Sequence, residues 1–298
     1  MNKDSVFLEY VGKTIDKYTI NDKEVPKNTE NNYQHLRQNG FLEIPKSFLE
    51  IGKNSIQIHI TNDYYNDGSG IHTYTDIDSK QYIYTESEPH YGNRIAPIFD
   101  QPDLKGTFQL TATAPSDWKV ITTEPANSIT NLVNSQEESI WKFPPTLPLS
   151  TYLYTIIAGP YKEIICDPSK LHRNITMSIY CRETLYKYAE NQQIDIFEFT
   201  ADTIKRYEEL FGYNFPFRKS DTIFCAEFTH LAMENPGCIT YNECYVFKKE
   251  PTIAEITDRA STINHELAHM WFGDMVTMKW WDDLWLNESF ADFVCYII

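Results

Sequence analysis

At 298 residues the chain is long enough for two domains, and an apolar fraction of 42% with 14% aromatic residues describes a folded globular protein. A net charge of −16, with no basic run to neutralise phosphates, argues against a nucleic-acid partner. No stretch approaches the roughly eighteen apolar residues of a membrane span, and Met1-Asn2-Lys3-Asp4-Ser5 opens no apolar signal region.

The first half reads as β-rich. Residues 55–60 alternate apolar and polar side chains, as do 108–112 and 175–179, which is the period of a half-buried strand. Residues 66–70 form a turn-rich loop, and without a following helix they are not expected to bind phosphate. Pro144, Pro145 and Pro148 break the chain before a further strand expected over 151–158. The β-rich unit is expected to close near Gly159-Pro160 or within 166–174, giving units 1–165 and 166–298.

Helical character follows. Residues 194–211 carry apolar side chains at 196, 197, 199, 204, 207, 210 and 211, close to a 3.6-residue period, and Gly212 is the stop. Strands are expected at 221–225 and 238–241. No internal repeat is visible, and the order of elements suits a β domain joined to an α+β domain.

Thr252-Ile253-Ala254-Glu255 has the form of a capping box, and no Pro or Gly interrupts the sequence from there to Phe272. Gly273 is the expected stop. On this helix His265 and His269, four residues apart, lie on one face and can aim two imidazoles at one cation. Glu266 sits one residue round, where its carboxylate can reach a water held by the metal. The pattern H-E-x-x-H is that of a metalloprotease whose glutamate is the general base. Two histidines underfill a zinc site, and Glu288, 19 residues past His269 on a second helix expected over 284–298, is the candidate third ligand. The plain alternative is a chance pentapeptide on an amphipathic helix, with Glu288 merely solvated.

The six cysteines (166, 181, 225, 238, 244 and 295) contain no C-x-x-C pair. They read as reduced, mostly buried thiols, which suggests a reducing compartment and a cytoplasmic location. Spacing leaves a Cys238–Cys244 bridge open, and the absence of an anchor segment leaves a membrane-anchored or extracellular parent open. Asn174-Ile175-Thr176 is a glycosylation sequon, read as unmodified because no secretion signal is visible.

Leu231-Ala232-Met233-Glu234-Asn235, then His265-Glu266-Leu267-Ala268-His269-Met270-Trp271-Phe272-Gly273-Asp274, then Trp285-Leu286-Asn287-Glu288 resemble, in order and spacing, the aminopeptidase N family of zinc metallopeptidases. In the first half Tyr84-Thr85-Glu86-Ser87-Glu88-Pro89 is similar to the family's T-Q-x-E-P, and Phe99-Asp100-Gln101-Pro102-Asp103-Leu104-Lys105 and Ala158-Gly159-Pro160-Tyr161 are further family-like segments. The resemblance implies an amino-terminal all-β, saddle-like domain followed by the first part of an α+β, thermolysin-like catalytic domain. It implies one zinc ion per chain on His265, His269 and Glu288, with Glu266 as general base and proton shuttle. Glu234 and Glu88 would bind the free α-amino group of a peptide substrate, with Ala232, Met233 and Asn235 lining the same subsite. Two carboxylates facing a charged amine would favour exopeptidase action on peptides with a free amino terminus.

The chain departs from the family pattern at Leu231, where Gly is usual, and at Glu86, where Gln is common. A leucine loses the freedom of a positive φ, and a second acid beside Glu88 raises one pKa or strengthens cation binding. The family's oxyanion-stabilising tyrosine follows the glutamate ligand by several tens of residues, whereas ten residues follow Glu288 here. The chain therefore reads as a fragment. Besides a zinc aminopeptidase, a catalytically inactive zinc-binding fragment and a thermolysin-like endopeptidase remain as alternatives; Glu234 speaks against the last.

Overall fold

The computed structural model describes residues 6–132 and 137–298, so the reading of Met1–Ser5 falls outside the described residues. Ile56, Ile58 and Ile60 alternate with Gln57, His59 and Thr61, and the strand they form, Ile56–Thr61, pairs antiparallel with Thr14–Ile20. That pairing covers a core of Leu8, Tyr10, Tyr18, Ile20, Tyr33, Leu42 and Ile44. A second sheet runs in the order Lys119–Ile121, Ile157–Gly159, Gln81–Glu86 and Gly70–Thr75, with every pair antiparallel. Five successive residues from Tyr82 to Glu86 are buried, so this strand is covered on both faces. It points Glu86 and, just beyond it, Glu88 towards the second half of the molecule. The Glu88-Pro89 peptide is cis.

The second half is built on a five-stranded sheet ordered Lys162–Ile165, Ser178–Cys181, Asp221–Cys225, Cys238–Asn242 and Ala232–Met233. Its three inner strands are parallel and its two edges antiparallel. Lys162–Ile165, the end of the expected first unit, is thus an edge of this second sheet. Three helices pack with it: α1 (Tyr186–Phe211), α2 (Ile253–His269) and α3 (Leu284–Cys295). Helix α1 buries Ala189, Ile196, Phe197, Thr200, Thr203, Ile204 and Tyr207 on one face and ends on Gly212 at φ 63°. The largest core runs continuously from Tyr82, Tyr84 and Tyr152 of the first half to Leu267, Met270 and Trp271 of the second. Polar ties cross the same boundary: Tyr84 donates to the Glu227 carbonyl, and Lys105 Nζ to the carbonyls of Asp274 and Met275. This is the β-rich domain followed by an α+β unit that the family resemblance implies.

Several element boundaries differ from the sequence reading. Residues 151–158 are not one strand. Thr151–Leu153 is a 3-10 turn, and the strand begins at Ile157. Tyr152 and Leu153 are both buried, which the alternating faces of a strand would not allow against a single core. The strands expected at 108–112 and 175–179 start later, at Thr111 and Ser178. Helix α1 begins eight residues early, because Ala189 is the only buried residue in its first turns and leaves no periodic signal. Helix α2 stops at His269, not Phe272, since Met270 and Trp271 leave the helix to fill the core. Helix α3 ends at Cys295. All six cysteines are free, five of them buried and Cys244 exposed. Among the described residues no helix is long and apolar enough to cross a membrane.

Candidate metal centre

The capping box forms as its sequence implies: Thr252 Oγ1 accepts from Glu255 N while Glu255 Oε2 accepts from Thr252 N. It starts helix α2, whose last two turns carry His265 and His269 with their Nε2 atoms 3.0 Å apart and their rings at 74°. Helix α3, reached through the turn Trp281–Asp283, brings Glu288 alongside. Its Oε2 lies 3.3 Å from His265 Nε2 and its Oε1 3.7 Å from His269 Nε2. Around a tetrahedral zinc ion with bonds of about 2.0–2.1 Å, neighbouring donor atoms stand about 3.3–3.4 Å apart. The two imidazole nitrogens at 3.0 Å and the two Glu288 oxygens at 3.3 and 3.7 Å from them bring the three side chains within reach of one such ion. Nitrogen–nitrogen–oxygen donors with an open fourth position suit zinc in a catalytic arrangement.

Two further observations support the fit. His269 Nδ1 stands 2.9 Å from the Phe272 carbonyl. The carbonyl can only accept, so the proton sits on Nδ1 and the lone pair of Nε2 faces the site. In addition, Glu288 Oε1 is buried with no hydrogen-bond partner among the described residues, which is the state of an acceptor awaiting a cation.

Negative charge surrounds these ligands. Glu266 and Glu234 are buried, and burial pushes both carboxyls up from the usual range, although His269 pulls them back. Glu88 is likewise pushed well up, first by burial and then by Glu234 and Glu288. Burial also acts upward on Glu288, but the adjacent His265 and His269 imidazoles outweigh it and hold the carboxyl well down. Glu86 accepts from the Glu88 amide through Oε1, has no partner for Oε2 among the described residues, and is lifted by burial to about 8.

The segment 231–235 forms the opposite wall. Ala232 and Met233 pair with Tyr241 and Thr240 as the edge strand of the sheet, which leaves their outer edge open. Glu234 Oε1 reaches within 3.8 Å of His269 Nδ1 and has no hydrogen-bond partner among the described residues. The Asn235 side chain is engaged within the fold, accepting from Thr155 and donating to Thr240 Oγ1, so it fixes the segment in place. Leu231 is 61% exposed and is not among the residues with positive φ, so the leucine enters without backbone strain.

Glu88, Glu234 and Glu288 each bring one carboxylate oxygen within 4.8 Å of the others, beside the His265–His269–Glu288 group. Two neighbours were not legible in the sequence. The Tyr152 phenol oxygen and both Asp274 oxygens are buried with no hydrogen-bond partner among the described residues, and Glu234, Asp274, Glu88 and Glu288 lie near enough to Tyr152 to push its phenol up after burial has done so. In the sequence Tyr152 is one aromatic in an apolar run, with nothing to separate it from core packing.

Residues 196–298 match the Peptidase family M1 domain, and residues 1–153 match the Peptidase M1 N-terminal domain. The chain is 39% identical over 289 residues to Aminopeptidase N of Streptomyces lividans, an alignment covering 96% of this chain and 32% of that protein. It is 30% identical over 301 residues to Leucyl aminopeptidase of Saccharolobus solfataricus, covering 99% of this chain and 35% of the relative. The chain thus spans about a third of the length of either relative.

Proposed function

The chain belongs to peptidase family M1, and on that premise we propose that its site is the zinc centre of an aminopeptidase, acting on the first peptide bond of peptides with a free amino terminus. The observation that carries this reading is the placement, beside the His265–His269–Glu288 group, of buried Glu88 and Glu234 oxygens that have no hydrogen-bond partner among the described residues. A protease site for internal peptide bonds has no use for uncompensated carboxylates at that position, because a neutral amide would leave them buried and unpaired.

Zinc held by His265, His269 and Glu288 would supply Lewis acidity, acidifying water and polarising a carbonyl oxygen. Glu266, one residue round the helix from His265, takes a proton from water on its carboxylate and returns it to the departing amine nitrogen. Burial pushes its carboxyl up, and a neighbouring cation would draw it back towards the anion that a base requires. Glu234 and Glu88 hold the substrate's ammonium group, which with a pKa of about 7.7–8.0 is largely charged near neutrality. The open edge at Ala232–Met233 offers main-chain groups to an extended peptide.

Zinc content and aminoacyl-arylamide hydrolysis, measured together on the 298-residue chain and on Glu266→Gln, test the reading. One zinc per chain in both proteins, with turnover falling about 10²–10⁴-fold in the variant, is expected. Zinc without turnover in the unmodified chain would favour a non-catalytic zinc-binding fragment. Cleavage of amino-terminally blocked peptides would favour an endopeptidase.

A further inference from the structure

We propose that the cavity around Arg259, between helices α1 and α2, binds an organic carboxylate with an apolar body at a site separate from the metal centre. The cavity has a volume of about 510 Å³, within the range of small-molecule sites. Helix α2 lines it with Ile256, Arg259, Ala260 and Ile263, which recur at the spacing of one helix face. His265, two residues past Ile263, stands about 200° round the helix, at roughly 100° per residue. The cavity and the zinc ligands therefore lie on opposite faces of α2, and the inference does not depend on the function proposed above.

Arg259 is a buried cation without a counter-ion. It is 7% exposed. Its Nη1 donates to Gln192 Oε1 at 2.6 Å and to the Tyr245 carbonyl at 3.2 Å, and both acceptors are neutral. Among the described residues Nε and Nη2 make no hydrogen bond, and no carboxylate stands within ion-pairing distance of the guanidinium. Both nitrogens remain open to solvent, on a side chain that lines the cavity. Burial pushes the guanidinium down, and Asp195, which also lines the cavity, only partly opposes it. A buried charge of this kind is stabilised by an opposite charge with good geometry. Nε and Nη2 form one edge of the guanidinium, and that edge presents two parallel N–H donors to a carboxylate.

The donor is held in place before any ligand arrives. Gln192, on α1, donates through Nε2 to the carbonyls of Tyr188 and Phe247 and offers Oε1 to Arg259. The guanidinium also lies over the Phe247 ring at 4.4 Å from its centroid. A side chain fixed in this way loses little entropy when it binds.

The lining selects the class of ligand. Arg259, Lys248 and Lys249 face Asp195 and Glu250, three cations against two acids, so the cavity is positive in a chain of net charge −16. Ile196, Phe199, Ile256 and Ile263 supply apolar walls beside this charge. An inorganic anion would leave those walls wet, and a neutral apolar molecule would leave Arg259 unpaired. A carboxylate carrying an aliphatic or aromatic body satisfies both.

The probe is 4-phenylbutyrate, titrated calorimetrically into the 298-residue chain in its zinc-loaded and zinc-free forms. One site with a dissociation constant of about 1 mM or tighter is expected in both forms. The amide of the same acid keeps the shape and loses the charge, and should bind at least about tenfold more weakly. Arg259→Gln should weaken the acid by a similar factor, at least about tenfold, with zinc content unchanged. Ile256 is 46% exposed, so Ile256→Glu can fold normally and should weaken the acid by setting a like charge in the cavity wall. Absence of binding up to about 10 mM would overturn the proposal. So would equal affinity for acid and amide, or an affinity that both substitutions leave unchanged. Binding confined to the zinc-loaded form would put the carboxylate on the metal and overturn it as well. Should Arg259→Gln fail to fold, the amide comparison and Ile256→Glu still decide.

Discussion

His269 Nδ1 lies 2.9 Å from the carbonyl oxygen of Phe272, three residues on, and the backbone can return that carbonyl to the ring only because Gly273 follows at φ 126°. A Cβ on Gly273 would stand 3.1 Å from His269 Nδ1, so both the conformation and the space require glycine. Gly273→Ala is therefore expected to destabilise the chain by about 1–3 kcal/mol through backbone strain. It should also weaken zinc binding roughly tenfold by tilting the ring, as loss of a histidine's supporting partner does. Thermal unfolding and zinc competition against a chelator measure the two effects. An alanine variant with unchanged melting temperature and unchanged zinc affinity would show that the loop sets neither.

Glu86 gives the stability a defined pH dependence. Burial lifts its carboxyl from 4.5 to about 8, so the folded chain keeps this proton where the unfolded chain has released it. The resulting stabilisation is complete below about 4.5 and is lost as pH rises through about 8. Glu288, held low by His265 and His269, has the opposite sign: its contribution is present above its unfolded value and lost in acid. In the metal-free chain, Glu86→Gln should raise the melting temperature at pH 8.5 by on the order of 5 °C and change it little at pH 4.5. Equal shifts at the two pH values would mean that Glu86 is not the titrating group.

The parts of this molecule that were legible in the sequence are those whose signal is local. The capping box at Thr252 and Glu255, the four-residue spacing of His265 and His269, and the αL stop at Gly212 are each set by a few adjacent residues. Resemblance supplied what spacing could not, since Glu88 is a loop acid until a distant strand carries it towards Glu234. What stayed hidden depends on tertiary packing. Tyr152 of the first half and Asp274 of the second come near Glu234 only in the folded chain. The 3-10 turn Thr151–Leu153 is hidden as well, because its apolar residues mimic a strand.

Glu234 should distinguish substrates by the charge at their amino terminus. Its side chain is buried and Oε1 is unpaired, so its interaction with an ammonium group forms in a site shielded from water. Glu234→Gln keeps the shape and removes the charge. A hydrogen bond to a charged group contributes about 1.5–3 kcal/mol, equivalent to a loss of about 10- to 200-fold in kcat/KM for free-amine substrates. Zinc content should stay at the unmodified level, because Glu234 is not among the His265–His269–Glu288 donors. Binding of an acetyl-capped peptide, read as competitive inhibition, should show no comparable loss in the same variant, since that ligand has no ammonium to hold. Parallel losses in binding of capped and free-amine peptides would assign Glu234 to the architecture of the site and remove it from amine recognition.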